Sequence, residues 1–407
     1  MFSIWVAASI TIYFSICQGG DPCPSKAELD SCTCTQTRLK SDFVVQTTVP
    51  LPLHRLSTVH PEVVRESAIA EPTHFVHTKE IETKLTPDNS SLYTEVTCKG
   101  SRTITALEET VRFALHRKLV DKLVVSHVPG LREHTLVRLP AQWLKNTRVK
   151  QFEIRDTILS GDFLWHGSPF DGQADTLIWL SAFRCSLYGA LSYDEAGTIH
   201  TKGLNILPNL EGVNLSLNHL TVVKATAFRT PPANLSTIIL ARNSLQILET
   251  GSFQHVLKLK CIDLSHNLLD NVIRGLFASP ARYLESIDLS WNFLRTLPVD
   301  FFVNMPTLKV VNLSKNFLHS MPEKPWGTIW RQLTFLDLSG NFIHCDCNLL
   351  WLLQILSPSQ KNDTTTPAPM SLPGQRILAQ CSQNHMPGYY SIQHDLNTLT
   401  RQQLMCD

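Results

Sequence analysis

Cysteine is the residue type in this sequence with the most specific chemistry. The chain has 407 residues and 11 cysteines; setting aside Cys17, which lies in an apolar N-terminal run, leaves ten. Eight of these form two sets of four, which are Cys23, Cys32, Cys34 and Cys98, and Cys345, Cys347, Cys381 and Cys406. Close Cys-x-Cys pairs either form disulfides or hold zinc, and residue types alone leave three disulfide connectivities for each set.

Histidines provide the other candidate metal ligands. His74 and His77 are spaced His-x-x-His in a segment that also contains His54 and His60. The zinc-protease signature His-Glu-x-x-His is absent from the sequence. We therefore interpret these histidines as solvated loop side chains, and we predict neither a metal site nor a cofactor.

Motifs for catalysis and for binding nucleic acid are absent as well. The sequence contains no Gly-x-Ser-x-Gly, no phosphate-binding Gly loop and no Gly-x-Gly-x-x-Gly. The net charge of +1, with mixed signs, gives no basic surface for nucleic acid or an anionic membrane. We predict no catalytic residues, no enzymatic activity and no nucleic-acid partner.

The N-terminus predicts export. Residues 1–19 have an apolar run from Ile4 to Ile16 followed by small residues, as in a secretory signal. That run is shorter than the ~20 residues of a membrane-spanning helix, and no later stretch comes close. We expect a secreted protein without membrane insertion. An oxidising exterior favours disulfides over zinc for both cysteine sets.

One repeated pattern predicts the secondary-structure elements on which these residues lie. It reads Leu, two residues, an apolar residue, one residue, Leu, two residues, Asn, one residue, then Leu or Ile. The six copies start at Leu210, Leu235, Leu259, Leu284, Leu308 and Leu333, with intervals of 25, 24, 25, 24 and 25 residues. This pattern resembles the leucine-rich repeat, whose period is about 20 to 29 residues.

The resemblance implies an α/β leucine-rich repeat solenoid, a curved horseshoe with a parallel sheet on its concave face and disulfide-capped ends. We number positions in each copy from its first Leu. Positions 4 and 6 should point inward, and positions 3, 5 and 7 outward. Position 9 is always Asn, and we expect these amides to bond the backbone of the turns: Asn218, Asn243, Asn267, Asn292, Asn316 and Asn341. Position 19 should form a buried ring column: Phe228, Phe253, Phe277, Phe302 and Trp326.

Three divergent copies precede the regular ones, starting at Val120, Val149 and Leu177, which gives about nine copies in all. A helix with apolar residues at helical spacing is predicted over 104–118. The resulting division of the chain is a signal at 1–19, a cysteine-rich cap at 20–98 with a long insertion at 35–97, divergent repeats at 99–209, regular repeats at 210–344 and a cysteine-rich cap at 345–407. The insertion is predicted to be a partly ordered loop.

The two cysteine sets resemble the flanks of secreted, Slit-like leucine-rich repeat proteins. The overall plan is also similar to the non-catalytic subunit of oplophorus-luciferin monooxygenase, with its signal, Cys-Thr-Cys start and divergent early repeats. The resemblance implies the pairs Cys23–Cys34, Cys32–Cys98, Cys345–Cys381 and Cys347–Cys406. One departure is the gap from Cys34 to Cys98, which the family keeps short. The run 348–353 fits the family and should lie as a helix over the last repeat, with Trp351 inward.

Two cysteines lie outside both sets. Cys185 is at position 9, where we predict a buried structural role. Cys261 is at position 3, about 14 Å from Cys185 by strand spacing, which is too far for a disulfide between them. It is either a thiol shielded by Thr237 and Ser286 or an exposed thiol that forms a disulfide-linked dimer or links to a partner.

The outward positions form the default protein-binding face, because exposed Trp and Arg side chains anchor interfaces. The candidates are Arg155, Trp179, Phe183, Arg184 and Trp291. An insertion covering Trp179 and Phe183 is the alternative. The glycosylation candidates are Asn89, Asn214, Asn234, Asn312 and Asn362. Glycans on Asn214 and Asn312, both at position 5, would direct a partner to the N-terminal strands, the insertion or the convex side; the alternative is that both stay bare.

The sequence therefore predicts an extracellular binding protein that uses a leucine-rich repeat scaffold for protein–protein recognition. The alternatives are a non-catalytic subunit that stabilises a secreted enzyme and an extracellular-matrix glycoprotein. The ligand itself is not encoded in any motif.

Overall fold

The computed structural model describes residues 32–38, 92–99, 104–129, 136–356, 375–383, 392–404 and 406. The chain divides into two compact units, one of residues 1–20 with 36–93, the other of residues 21–35 with 94–407. Within the first unit only residues 36–38 and 92–93 are described. The second unit contains all the repeats.

Eighteen strands occur in the described residues. In chain order they are β1 (Cys32–Arg38), β2 (Leu92–Lys99), β3 (Leu119–Ser126), β4 (Arg148–Arg155), β5 (Trp179–Phe183), β6 (Tyr188–Ser192), β7 (Ile199–His200), β8 (Gly212–Asn214), β9 (His219–Val223), β10 (Thr237–Ile239), β11 (Ile247–Leu248), β12 (Cys261–Asp263), β13 (Ser286–Asp288), β14 (Val310–Asn312), β15 (Phe335–Asp337), β16 (Arg376–Leu378), β17 (Gln380–Ser382) and β18 (Gln393–Asp395). Twelve of them form one sheet in the order β1-β2-β3-β4-β5-β8-β10-β12-β13-β14-β15-β16. A four-stranded sheet has the order β11-β9-β6-β7, and β17 pairs antiparallel with β18.

Helices are short and few in the described residues. The α-helices are α1 (Ile104–Ala114), α2 (Glu323–Trp326) and α3 (Leu350–Leu356). Single 3-10 turns occur at Lys202–Ile206, Arg274–Leu276, Cys347–Leu349, Leu396–Thr398 and Arg401–Gln403. Helix α1 ends four residues before the predicted end at 118.

The register of the large sheet confirms the predicted solenoid, which has about nine turns. From β2 to β16 every neighbouring pair is parallel, and each regular copy contributes one strand. Position 4 of one copy pairs with position 4 of the next. These side chains are all at most 1% exposed: Val213, Ile238, Ile262, Ile287, Val311 and Leu336. The copies therefore share one apolar core, as stacked repeats require.

The ends of the predicted insertion 35–97 belong to strands, which the sequence interpretation missed. Strand β2 includes 92–97, and β1 includes 35–38. Within β2, Thr94, Val96 and Cys98 are buried at 1% exposure or less, so the strand does alternate in facing. A threonine among the inward residues hides this alternation in the sequence. Residues 39–91 lie outside the described residues.

Disulfides tie both ends of the described sheet. The pairs are Cys32–Cys98, Cys345–Cys381 and Cys347–Cys406, which agree with the pairing that the resemblance implied. Cys34 is also disulfide-bonded, while its predicted partner Cys23 lies outside the described residues.

Helix α3 begins within the predicted run 348–353 and Trp351 points inward as predicted, although its partners belong to the copy that starts at Leu308. The indole Nε1 of Trp351 donates to the carbonyl of Met321 at 2.9 Å, and the Trp351 ring meets the Trp330 ring edge-on at 5.3 Å. Trp351 itself is 6% exposed. One buried indole therefore joins the C-terminal cap to the solenoid core, because its apolar body and its N–H both find partners there.

The Asn column at position 9 has the predicted role. Asn267 Oδ1 accepts the Leu245 N–H at 3.0 Å, while its Nδ2 donates to the carbonyls of Leu240 and Leu264 at 3.0 and 2.9 Å. Equivalent bonds recur at the other five asparagines. Cys185 occupies position 9 of the copy directly before that of Asn218, and its Sγ donates to the Ile154 carbonyl at 3.3 Å. The ring column is also buried, since each of its five side chains is at most 5% exposed.

Candidate functional site

The sheet face opposite the core is less open than the sequence suggested. Positions 3, 5 and 7 do point away from the core, but several of their side chains in the middle copies are buried. Asp263, Asp288 and Ser290 are 4%, 3% and 5% exposed, and Ile239 at position 5 is 6% exposed. Neighbouring strands are about 4.8 Å apart, so short side chains are shielded by longer ones beside them.

A row of polar bonds fixes these short side chains. Position 5 accepts from position 7 of its own strand: Asp263 Oδ1 from the Ser265 N–H at 2.9 Å, and Asp288 Oδ1 from the Ser290 N–H at 2.8 Å. Asn312 Nδ2 donates across the strands to Asp288 Oδ2 at 2.9 Å. The middle of this face is therefore a rigid polar floor rather than a set of free side chains.

The glycosylation candidates stay predictions. Asn214 and Asn312 each accept the hydroxyl of the serine in their own sequon, at 2.6 and 2.8 Å. A glycan on Asn312 would replace one of the two hydrogens of the Nδ2 that donates to Asp288. Asn234 accepts from Lys258 Nζ at 2.8 Å. Asn89 and Asn362 lie outside the described residues.

Two carboxyl groups lie side by side on this floor, because Asp263 pairs with Asp288 in the strand register. Burial, and then the charge of Asp263, raise the pKa of Asp288 from 3.8 to about 6. Burial also raises the pKa of Asp263. A raised carboxyl pKa means that the folded chain binds a proton more tightly than the unfolded chain does. The pair therefore weakens folding increasingly as the pH rises from about 4 through about 6.

We expect Asp288→Asn to raise the free energy of unfolding by about 1–2 kcal/mol at pH 7.5 and to change it little at pH 4. Two pKa units correspond to about 3 kcal/mol, and the lost bond from Asn312 offsets part of that gain. Urea unfolding of both proteins at the two pH values measures the difference.

The control for this prediction is Asp337→Asn, at the same position of a later copy. Its strand neighbours Asn312 and Leu378 carry no charge. We expect the Asp337 substitution to bring no comparable gain in the free energy of unfolding at pH 7.5. An equal gain from Asp288→Asn at pH 4 and pH 7.5 would contradict the raised pKa of Asp288.

The four N-terminal binding candidates lie on adjacent strands β4 and β5 or directly after β5. Arg155 pairs with Phe183 in the register and contacts Glu153 at 3.3 Å. Arg184 lies 5.2 Å from the Phe183 ring centroid and contacts Asp156 at 3.3 Å. Arg184 is exposed, whereas Arg155, Trp179 and Phe183 are half-buried.

Trp179 owes its position to a glycine on the neighbouring strand. The ring lies across Gly212, where an added Cβ would be only 1.9 Å from Trp179 Cζ3. Gly212 pairs with Trp179 in the register. The absent side chain therefore provides the space in which the indole lies flat against the sheet.

Trp291, the last candidate, is the most exposed of the predicted aromatic residues, at 52%. The His266 ring stacks on it at 5.1 Å with an interplanar angle of 11°, and Lys315 Nζ is 5.8 Å from its centroid. Burial, and then the charge of Arg242, lower the pKa of His266, which favours the neutral imidazole near pH 7. We call Arg242, His266, Trp291 and Lys315 the position-8 row.

The backbone holds this row outward. All four residues have a left-handed φ between 54° and 56°. That conformation is uncommon for bulky residues, and here it recurs once in each copy because the chain turns immediately before the Asn column. The row is therefore presented by a fixed turn rather than by a flexible loop.

A second exposed row was missed in the sequence interpretation, which left position 10 unspecified. Its members are Leu268, Phe293, Phe317 and Phe342, exposed at 42%, 46%, 42% and 59%. Phe317 stacks on Phe293 at 5.7 Å and on Phe342 at 5.9 Å. We call these four residues the position-10 ladder. The signal that could have revealed this row is the change of residue type at position 10. The first two regular copies have the polar His219 and Ser244 there, whereas the last four have apolar residues.

The two lone thiols are protonated at neutral pH. Burial, and then the charge of Glu285, raise the pKa of Cys261 to about 11, and burial raises the pKa of Cys185 to about 12. Cys261 is half-buried between Thr237 and Ser286 in the register. A thiol with little thiolate exchanges disulfides slowly. The disulfide-linked dimer through Cys261 stays a prediction.

Within the described ranges, no three or more His, Cys, Asp or Glu side chains are grouped so that they could hold a metal ion. Over the same ranges, no helix has both the length and the apolar character needed to cross a membrane.

Comparison with known proteins supports the repeat architecture. The leucine rich repeat family model matches residues 208–269, 233–281 and 282–343, about a third of the chain. No curated protein matches. Among solved structures, a chain of the Drosophila Toll–Spatzle complex is similar at 16% identity with a TM-score of 0.33. That match covers 62% of this chain and spans about half, 47%, of the Drosophila chain.

Proposed function

We propose that this leucine-rich repeat protein is a non-catalytic recognition protein that acts outside the cell and binds another protein. The observation that carries the proposal is the position-8 row, in which an exposed Trp291 is stacked on His266 and lies 5.8 Å from the Lys315 cation, with Arg242 on the far side of His266. Tryptophan and arginine are the residue types that dominate the energy of protein interfaces.

Preorganisation supports the same proposal. Trp291 is held by ring contacts and by a fixed turn, so little side-chain freedom remains to be lost when a partner docks. The N–H of Trp291 is bonded to the Ser314 carbonyl of the next copy at 2.9 Å. A rigid aromatic anchor beside the Lys315 cation suits a partner surface with apolar and acidic side chains.

The disulfides support the proposed compartment. Three described pairs tie the ends of the sheet, and disulfides persist in oxidising spaces outside the cytosol. The predicted signal at 1–19 is consistent with that compartment. The finer alternatives, an enzyme's non-catalytic subunit or a matrix glycoprotein, differ in the kind of partner that binds.

Site-specific photocrosslinking tests this proposal. We expect p-benzoylphenylalanine at position 291 of the full-length protein to give one discrete adduct in the native secretion. Unlabelled wild-type protein should compete it away, and Trp291→Ala should compete at least tenfold less well. Mass spectrometry of the adduct then shows whether the partner is a receptor, an enzyme or a matrix protein.

The matched control places the crosslinker at position 283, where Tyr283 is 50% exposed outside the row. We expect no competed adduct there. If position 291 gives no adduct, or one that Trp291→Ala displaces as well as the wild type does, the position-8 row is not the recognition surface.

A further inference from the structure

The position-10 ladder is not a requirement of the repeat. Positions 9 and 11 on either side of it are buried in the regular copies, as with Asn292 and Leu294, except that Asn341 in the last copy is half-buried, whereas position 10 points to solvent. The first two regular copies have polar residues there, and the last four have apolar ones. Because the same fold tolerates both, the apolar run of the last four copies serves something other than folding.

The ladder is held rigidly. The N–H of each member bonds a carbonyl of the preceding copy, at 2.9 Å for Leu268, 2.8 Å for Phe293 and 2.9 Å for Phe317 and Phe342. The interplanar angles of the two ring stacks are 13° and 23°. The rings therefore cover each other's faces and leave their edges accessible. Sugar rings stack on open aromatic faces, so this arrangement favours apolar side chains as the contacting groups.

The charges beside the ladder select an acidic partner. On one side is the position-8 row, with Lys315 beside the ladder and Arg242 in the copy directly before it. On the other side position 12 is occupied by Asp270, Arg295, His319 and His344 in the last four copies. In these two rows Asp270 is the one acidic side chain, so the apolar ladder has a basic border.

The dimensions of the ladder fit a helix. Its ring spacings of 5.7 and 5.9 Å are close to the ~5.4 Å pitch of an α-helix and shorter than the ~6.7 Å between same-side residues of a strand. Together with Trp291, the ladder leaves on the order of 400 Å² of apolar surface accessible. A stable second copy would need about 800 Å² on each partner, so the surface suits one helix better.

We propose that the position-10 ladder docks an amphipathic helix of a partner protein, about three turns long, with an apolar stripe and acidic flanks. This inference rests on the proposed recognition function and names the chemistry of the partner. Leu or Phe side chains of the helix, one for each turn, would contact the ring edges. Its Glu or Asp side chains would pair with the basic border, as in other helix-binding surfaces.

The test uses random 16-residue peptides displayed on yeast and selected with the full-length protein, and the enriched peptides are then measured on Phe317→Asp. We expect enriched peptides to have apolar residues at i, i+3 or i+4, and i+7, with Asp or Glu flanking them. Their affinity should fall at least tenfold on Phe317→Asp and stay unchanged on Phe113→Asp, which alters a ring 80% exposed on α1. Replacing their Glu by Gln should weaken binding several-fold.

Three outcomes overturn the proposal. The first is enrichment of peptides without helical apolar spacing or without acidic flanks. The second is peptide binding that Trp291→Ala abolishes and Phe317→Asp leaves intact, which keeps the proposed function and removes the ladder from it. The third is concentration-dependent self-association, measured by light scattering, that Phe317→Asp abolishes, because a second copy would then be the occupant.

Discussion

Asn267→Ala is expected to lower the free energy of unfolding by about 3 kcal/mol, because the substitution leaves a buried N–H without a partner. The Leu245 N–H bonds only to Asn267 Oδ1 among the contacts described above, and Leu245 is fully buried. The carbonyls of Leu240 and Leu264 each lose one of two amide donors. Urea denaturation followed by circular dichroism measures the change.

The control is Asn271→Ala, four residues further along the same copy. Asn271 is exposed, so its truncation should cost less than about 0.5 kcal/mol. Serine at position 267 cannot span the same distance and should recover under half of the loss. If Asn267→Ala unfolds at the wild-type urea concentration, the amide column is not what satisfies these turns.

Arg274→Ala is expected to lower the free energy of unfolding by about 3 kcal/mol as well. The side chain is 9% exposed, and its guanidinium donates to carbonyls of two successive copies, those of Phe277 and Ala278 in its own copy and those of Val303 and Asn304 in the next. Burial lowers the pKa of this guanidinium, and the charge of Asp300 opposes that shift. Removing the planar donor leaves carbonyls unpaired and a cavity between copies.

Arg274→Lys separates geometry from charge. Lysine keeps the positive charge but lacks the forked donors, so we expect it to restore less than half of the lost stability. Arg282→Ala, at an exposed position nearby, should have an effect below about 0.5 kcal/mol. Full rescue by lysine in urea unfolding would show that charge alone accounts for the role of Arg274.

These two residues show what the sequence can and cannot predict. Asn267 was predictable because position 9 recurs in every copy, and recurrence identifies a shared structural demand. Arg274 occurs once, and its partners at 303 and 304 are about 30 residues away in the chain. No local pattern indicates which carbonyls an isolated arginine will reach, so its role appears only with the stacking geometry.

The solvent exposure of the side chains was likewise predictable only in part. The alternation of a strand correctly separated inward from outward positions. It did not predict that Asp263 and Asp288 would be covered, since that depends on the lengths of side chains on neighbouring strands. The position-10 ladder was missed because the repeat motif leaves that position open, and Phe293 and Phe317 become neighbours only through the stacking of copies.

The amide column also has a direction. The side-chain oxygen of each Asn accepts a backbone N–H from the copy before it, as Asn267 Oδ1 does from Leu245, and the matching N–H of its own copy, that of Leu269, is bonded by the next Asn. During synthesis, the last copy of a nascent chain therefore lacks the Asn that bonds its turn. The turns of the earlier copies already have theirs. The solenoid is thus completed in one direction, from its N-terminal copies to its C-terminal copies. A premature stop codon within 210–344 would leave the turn of the last remaining copy without the Asn that bonds it.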